Sequence, residues 1–123
     1  MNRDQALTAT LDELRDALAE MDGWIRLERS NDIFEHKNTG EIHASDGEVA
    51  DHPSPPTLDG ADAAVRVNGW NWARYPRGCD GVWMWVGVHT ATGRHIDVPD
   101  TGDKIADLYA LALACRKAME NKA

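Results

Sequence analysis

The 123-residue sequence has only two cysteines, one phenylalanine and no long apolar run, and each shortage excludes a class of protein. Cys79 and Cys115 cannot supply the four ligands of a structural zinc site, and two cysteines do not make a disulfide-rich scaffold. No apolar stretch approaches the roughly 20 residues that span a bilayer, and the polar N-terminus does not resemble a secretory signal. We therefore expect a cytoplasmic protein with reduced thiols.

Positive charge is also scarce, with 13 Lys and Arg against 21 Asp and Glu and a formal net charge of −8. Residues 1–62 contain fifteen acids and five bases, whereas residues 63–123 contain six acids and eight bases. A chain with this balance repels the phosphates of nucleic acid and of anionic lipid, so we expect neither as a direct partner. The length and the 42% apolar content are typical of one globular domain, residues 1–123.

Motifs for catalysis and for cofactor binding are lacking. The sequence has no glycine-rich phosphate loop, no nucleophile elbow and no HExxH or HxH spacing. His36 and His43 flank one predicted turn and His89 and His95 flank another, but this spacing is not that of a zinc site, so we predict no metal and no cofactor. Cys79 could act as a nucleophile with a nearby histidine as base, yet an inert turn cysteine is the simpler interpretation. We expect a protein without enzymatic activity.

The spacing of apolar residues predicts a helix at each end of the chain. Residues 3–21, with Asn2 as N-cap and Gly23 after the last turn, have apolar side chains three or four residues apart, namely Leu7, Leu11, Leu14, Leu18 and Met21. Residues 102–121, after a cap at Asp100 or Thr101, repeat the spacing with Ile105, Leu108, Leu111, Ala112, Cys115 and Met119. Because this first stripe is narrow and could leave apolar surface that one sheet does not cover, a homodimer is also a possible arrangement.

Between the helices the period of the apolar residues changes to two, which predicts strands. The expected strands are 24–28, 33–36, 41–43, 64–67 continuing to 70–72, 81–89 and 94–98. We therefore predict an α+β domain in which the two helices pack on one antiparallel sheet of five to six strands. Two turns share a Thr-Gly pair beside histidine, Thr39-Gly40 and Thr92-Gly93, and we attribute this likeness to turn chemistry rather than to a repeat.

Segment 44–63 interrupts the strands and is predicted to be a long acidic loop. It contains three prolines, two glycines and no Lys or Arg, and its apolar content is too low for burial. A loop of this length is either a tolerated insertion or a functional element.

An acidic surface is the first candidate binding site. It combines four carboxylates of the first helix with those of the loop: Asp12, Glu13, Asp16, Glu20, Asp46, Glu48 and Asp51. Carboxylates arrayed on a rigid face resemble a row of phosphates, and they attract basic proteins over long range. We expect a protein partner, in particular a basic nucleic-acid-binding protein whose groove the acidic surface would block. The alternative is an acidic surface that only maintains solubility.

An aromatic surface is the second candidate. Four of the five tryptophans fall within 16 residues on two neighbouring strands, and a tyrosine lies between the pairs: Trp70, Trp72, Tyr75, Trp83 and Trp85. Residues two apart on a strand share a face, so the indoles either pack in the core or form an exposed platform. The platform would make the protein a small-ligand or carbohydrate-binding domain, which is our alternative function.

Residues 105–118, IADLYALALACRKA, follow the Trp-containing strands and resemble the end of short phage and prophage proteins of the phage ABA sandwich family. That family has an Ala- and Leu-rich last helix after a small Trp-rich sheet, and the acidic loop departs from its pattern. The resemblance implies no catalytic residues. It implies an accessory protein of a mobile element, acting in a bacterial cytoplasm. From the acidic surface we expect such a protein to inhibit a host defence or nucleic-acid-processing protein.

Overall fold

A computed structural model describes residues 9–27, 33–44, 57–67, 69–77 and 81–120, and these form three helices and six strands. In chain order they are α1 (Leu11–Met21), β1 (Trp24–Arg26), β2 (Ile33–His36), β3 (Ile42–Ala44), α2 (Leu58–Arg66), β4 (Trp70–Arg77), β5 (Val82–His89), β6 (His95–Pro99) and α3 (Lys104–Glu120). The predicted α+β class is confirmed. None of the helices formed by these residues is long and apolar enough to cross a membrane.

Helix α1 starts later than its apolar stripe predicts. Thr10 is the N-cap: its Oγ1 accepts a hydrogen bond from Glu13 N, and the Glu13 carboxylate accepts one from Thr10 N, each at 3.2 Å. Thr10 has an extended backbone, so no helix runs through it, and the prediction of one helix over 3–21 is wrong at its start. The predicted cap Asn2 lies outside the described residues.

Helix α2 shows that two predictions are wrong. It occupies the end of the predicted acidic loop, 44–63, and most of the predicted strand 64–67. Thr57 Oγ1 caps it by accepting from Gly60 N at 3.1 Å. Its buried side is made of small residues, Gly60, Ala61, Ala64 and Val65, and this lets it pack closely on α3. The rest of the predicted loop, residues 45–56, lies outside the described residues.

The six strands form two three-stranded antiparallel sheets rather than one sheet. β1, β2 and β3 make the first sheet, and β4, β5 and β6 make the second. In the second sheet β4 and β5 pair over eight residues each, from Trp70 opposite His89 to Arg77 opposite Val82. Because α2 lies between β3 and β4 in the chain, the two groups of strands are separated by a helix instead of a turn.

Helix α3 is the centre of the molecule and packs against α1, α2 and the second sheet. Leu108 and Leu111 are fully buried in the main core, and Leu14 of α1 joins them there. The partly buried side chains of the α1 stripe pack on the same core: Leu11, Leu18 and Met21. The described part of the stripe is therefore used within the chain, and it does not supply the surplus apolar surface on which the homodimer prediction depends.

The N-cap of α3 also differs from the two predicted candidates, Asp100 and Thr101. Asp103 Oδ1 accepts from Ala106 N at 3.1 Å, and Asp103 O accepts from Asp107 N at 2.9 Å. These are the contacts of a helix N-cap, so the helix begins at the next residue, Lys104, two residues after the predicted start.

The chain contains one helix-plus-sheet unit twice, in α1 with β1, β2 and β3 and again in α2 with β4, β5 and β6. In each unit a glycine with positive φ precedes a tryptophan, the tryptophan pairs with a histidine across the sheet, and the two rings meet edge to face. The equivalent residues are Gly23 and Gly69, Trp24 and Trp70, and His36 and His89.

The hairpin turn is similar in both units and shares most of its hydrogen bonds. The histidine oxygen accepts from the turn glycine N, at 2.9 Å for Gly40 and 2.8 Å for Gly93. The histidine Nδ1 also accepts from a backbone N–H of the turn at 3.2 Å in each unit, but the donor is two residues after the histidine in one unit, Asn38, and three residues after it in the other, Thr92. The two Thr-Gly turns therefore belong to a structural repeat, and attributing them to turn chemistry alone was wrong.

Candidate functional site

The acidic face of α1 is only partly available for a partner. Asp12, Asp16 and Glu20 follow one another at four-residue spacing on the side of the helix away from the core. Asp12 and Glu20 are exposed, whereas Asp16 Oδ1 accepts from Arg26 Nε at 2.7 Å and is fixed in place. Glu13 belongs to the capping box of α1.

A cation lies next to this acidic face. Arg15 projects to the inner side of α1 and is buried, with its Nη1 3.6 Å from Asp12 Oδ1. The remaining carboxylates of the predicted acidic surface lie outside the described residues: Asp46, Glu48 and Asp51. The described acidic face therefore consists of two exposed carboxylates, Asp12 and Glu20, with the bridged Asp16 between them.

The aromatic residues do not assemble into one platform. Trp70 and Trp85 are buried in the main core, and Trp72 is partly buried beside them. Trp83 is 40% exposed on the same face of the second sheet. Tyr75 pairs with Met84 and so projects to the opposite face, away from the indoles. The expected platform of tryptophans with Tyr75 is thus reduced to Trp83 at the surface.

Two cations alternate with three of the indoles along the end of the second sheet. The Lys104 Nζ lies 5.2 Å from the ring centre of Trp72 and 5.6 Å from that of Trp85. The Arg74 guanidinium lies 5.7 Å from Trp85 and 4.3 Å from Trp83. These contacts are cation–π interactions, and they cover indole surface that a ligand would otherwise use.

Carboxylates orient the cations and the indole N–H groups. Asp100 Oδ2 accepts from Arg74 Nε at 2.7 Å. Its pKa lies below the ordinary value because it accepts from Gly102 N and from Arg74, although desolvation opposes the shift. Asp107, which is buried, accepts from Trp85 Nε1 at 3.1 Å and from Thr101 Oγ1 at 2.5 Å. Asp100 and Asp107 therefore hold the Arg74 guanidinium and the Trp85 indole in place.

Asp62 likewise accepts hydrogen bonds from an indole and from a guanidinium. Its Oδ1 accepts from Trp72 Nε1 at 2.5 Å and from Arg66 Nε at 2.7 Å. Desolvation raises the pKa of Asp62, but the hydrogen bonds from Arg66 and Trp72 and the nearby positive charges outweigh it, so the pKa lies below its ordinary value. Sequence reasoning missed Asp62 because it fell within the predicted loop.

His36 and His89 form structural contacts, and Cys115 is buried. His36 Nε2 lies 3.1 Å from Asp22 O at the end of α1, and His89 Nδ1 lies 2.9 Å from Thr92 Oγ1 in the turn that follows it. Burial raises the pKa of the Cys115 thiol to about 12, which keeps it protonated. Over the described ranges no three His, Cys, Asp or Glu side chains are close enough to hold a metal ion. Cys79 lies outside those ranges.

Comparison of the chain with protein-family models, with curated proteins and with solved structures gave no match. The resemblance of residues 105–118 to the phage ABA sandwich family stays a prediction.

Proposed function

We propose that this protein is a non-catalytic binding module that recognises a basic protein partner through Asp12, Asp16 and Glu20 of α1. The observation that carries the proposal is their placement: they follow one another at four-residue spacing on the outer side of a helix whose other side is built into the core. Successive carboxylates are about 6 Å apart along the helix axis. A rigid row of this kind attracts a basic surface without first having to be ordered.

The charge distribution supports the same partner class. The acidic excess of the chain lies in residues 1–62, which contain α1 and the first sheet. A groove that binds nucleic acid has the complementary charge, so a nucleic-acid-binding protein is the partner that we propose. Together with the resemblance of residues 105–118, this suggests an accessory protein of a phage or mobile element that blocks such a groove in a host defence protein.

The test is a charge reversal that spares the carboxylates of the capping box and of the Arg26 ion pair. Glu13 closes the capping box and Asp16 holds Arg26, so the variant is Asp12→Lys with Glu20→Lys. Wild type and variant are immobilised in parallel and exposed to a bacterial lysate at low and at high salt. We expect wild type to retain a basic protein at low salt that the variant does not retain, because screening and charge reversal both weaken a steered electrostatic contact.

Two controls separate charge from stability. The neutral variant, Asp12→Asn with Glu20→Gln, should lose part of the binding, and Asp59→Lys, an exposed reversal on α2, should retain it. Equal retention of the same proteins by wild type and by the α1 reversal, at both salt concentrations, would contradict the proposed function.

A further inference from the structure

The first sheet has an exposed face that is apolar. Ile25, Ile33 and Ile42, one from each strand, are 47%, 39% and 63% exposed. The pairing register places Glu35 between Ile25 and Ile42 on this face, because it lies opposite both of them. The other face carries Trp24 and Phe34, which pack against Ala19 of α1.

The repeated unit shows that the fold does not require two of these isoleucines, Ile25 and Ile42. By register, Ile25 corresponds to Asn71 of the second sheet, Ile33 to Val86, and Ile42 to His95. Asn71 and His95 are exposed polar residues on the same scaffold, and Asn71 Oδ1 accepts from Arg66 Nη1 at 2.8 Å. Ile25 and Ile42 are therefore specific to the first sheet, whereas the position of Ile33 is apolar in both sheets.

A single acid lies among the isoleucines. Glu35 is exposed, and within the described residues its carboxylate forms no ion pair. Its equivalent in the second sheet is Val88. An occupant of this face must therefore cover three apolar side chains and also present a cation to Glu35. A second copy of the chain, stacked face to face, would bring two Glu35 carboxylates together, which disfavours a homodimer at this face.

We propose that Ile25, Ile33, Ile42 and Glu35 form a docking face for a protein segment that carries apolar side chains around a Lys or Arg. The apolar contacts provide the driving force, and the pair with Glu35 fixes the position of the segment. The inference rests on the proposed function only for the sign of the partner's charge. The docking face and α1 lie on opposite sides of the first sheet, so the two surfaces can be tested separately.

The test uses methyl NMR with carbon-13 in isoleucine, because the chain has five isoleucines and two of them, Ile96 and Ile105, lie elsewhere and partly buried. The probe is a synthetic amphipathic peptide of leucine and lysine, and the control peptide has glutamate in place of lysine. We expect the lysine peptide to shift the methyl signals of Ile25, Ile33 and Ile42 but not the other two, and the glutamate peptide to shift none.

Matched variants come from the second sheet. Ile25→Asn with Ile42→His introduces the residues that the same positions carry there, and it should abolish peptide binding with the remaining isoleucine signals unchanged. Glu35→Gln, at an exposed position, should weaken binding by about 1.5-fold to 5-fold, the range for one exposed ion pair. Binding that survives the isoleucine variant, shifts at all five methyls, or no shift at all would overturn the proposal.

Two further outcomes are distinct. Shifts of the same three methyls that grow with protein concentration in the absence of peptide would identify a second copy as the occupant and overturn the proposed partner chemistry. Peptide binding that is lost in the Asp12→Lys, Glu20→Lys variant but kept in the isoleucine variant would overturn the docking face and leave the proposed function standing.

Discussion

Trp72 Nε1 donates a hydrogen bond to Asp62 Oδ1, ten residues earlier on α2, at 2.5 Å. The first unit has an equivalent contact, in which Arg26 donates to Asp16 of α1 across the same separation of ten residues. In each unit, a carboxylate of the helix thus accepts a hydrogen bond from the third residue of the next strand in the chain, Arg26 of β1 or Trp72 of β4. One contact is neutral at its donor and the other is an ion pair, so the two units respond differently to substitution.

Asp62→Asn should reduce the stability of the protein at neutral pH, and it should make the melting temperature fall less steeply as the pH is lowered. Because the pKa of Asp62 is lowered in the folded state, its contribution is present above the unfolded value of about 3.9 and is lost as the pH falls through the folded value. Thermal melting followed from pH 7 to about pH 2.5 measures this. Asp59→Asn, at an exposed position on the same helix, is the control, and parallel melting curves for Asp62→Asn and wild type would contradict the prediction.

Gly87→Ala should destabilise the protein by about 1 to 3 kcal/mol through overpacking. A Cβ at this position would lie 2.9 Å from Cys115 Sγ and 3.4 Å from Leu111 Cδ1. Adding Cys115→Ala should restore part of the loss, because it removes the nearer atom. Urea unfolding of the two single variants and the double variant gives the coupling energy. Strictly additive losses would show that this contact is not the cause.

Trp83→Phe should remove most of the tryptophan emission that acrylamide quenches, because Trp83 is exposed whereas Trp24, Trp70 and Trp85 are buried. Trp70→Phe should leave the quenchable emission nearly unchanged. The slopes of the quenching plots of wild type and the two variants measure the effect. If Trp70→Phe lowered the slope as much as Trp83→Phe, the buried position of Trp70 would be wrong.

Cys115 should resist alkylation in the folded protein. Its thiol is buried and burial raises its pKa to about 12, so little thiolate forms at neutral pH. Iodoacetamide labelling of a Cys79→Ser variant, read by mass spectrometry, should be slow without denaturant and fast in urea. Equal rates in both conditions would contradict the prediction. In wild type, rapid selective labelling of Cys79 would favour the enzymatic interpretation instead.

The prediction from sequence is good for elements in which the spacing of apolar residues and the capping or turn residues indicate the same boundaries. β2 was placed at 33–36 as found, and α1 ends at Met21 before a glycine with positive φ, as expected. The last helix was predicted over 102–121 and found at Lys104–Glu120. In each case a clear change of apolar period coincides with a turn residue, which is the strongest local signal.

The elements that sequence reasoning missed depend on contacts between distant residues. α2 buries glycine and alanine, and side chains this small give no broad apolar stripe. Division into two sheets depends on which strands pair, and a period of two does not specify that. The same limit applies to the candidate site, since Arg74 reaches the indoles through the pairing of β4 with β5, and Lys104 reaches them only through the packing of α3 on the second sheet.

The repeated unit gives the chain an internal comparison of its own positions. Residues that agree in both halves, such as Gly23 with Gly69 and His36 with His89, mark what the scaffold requires, since the same geometry recurs around each pair. Residues that differ at equivalent positions, such as Glu35 and Val88, are those that the scaffold leaves open. Exchanging such positions between the two halves separates the demands of folding from those of recognition within a single molecule.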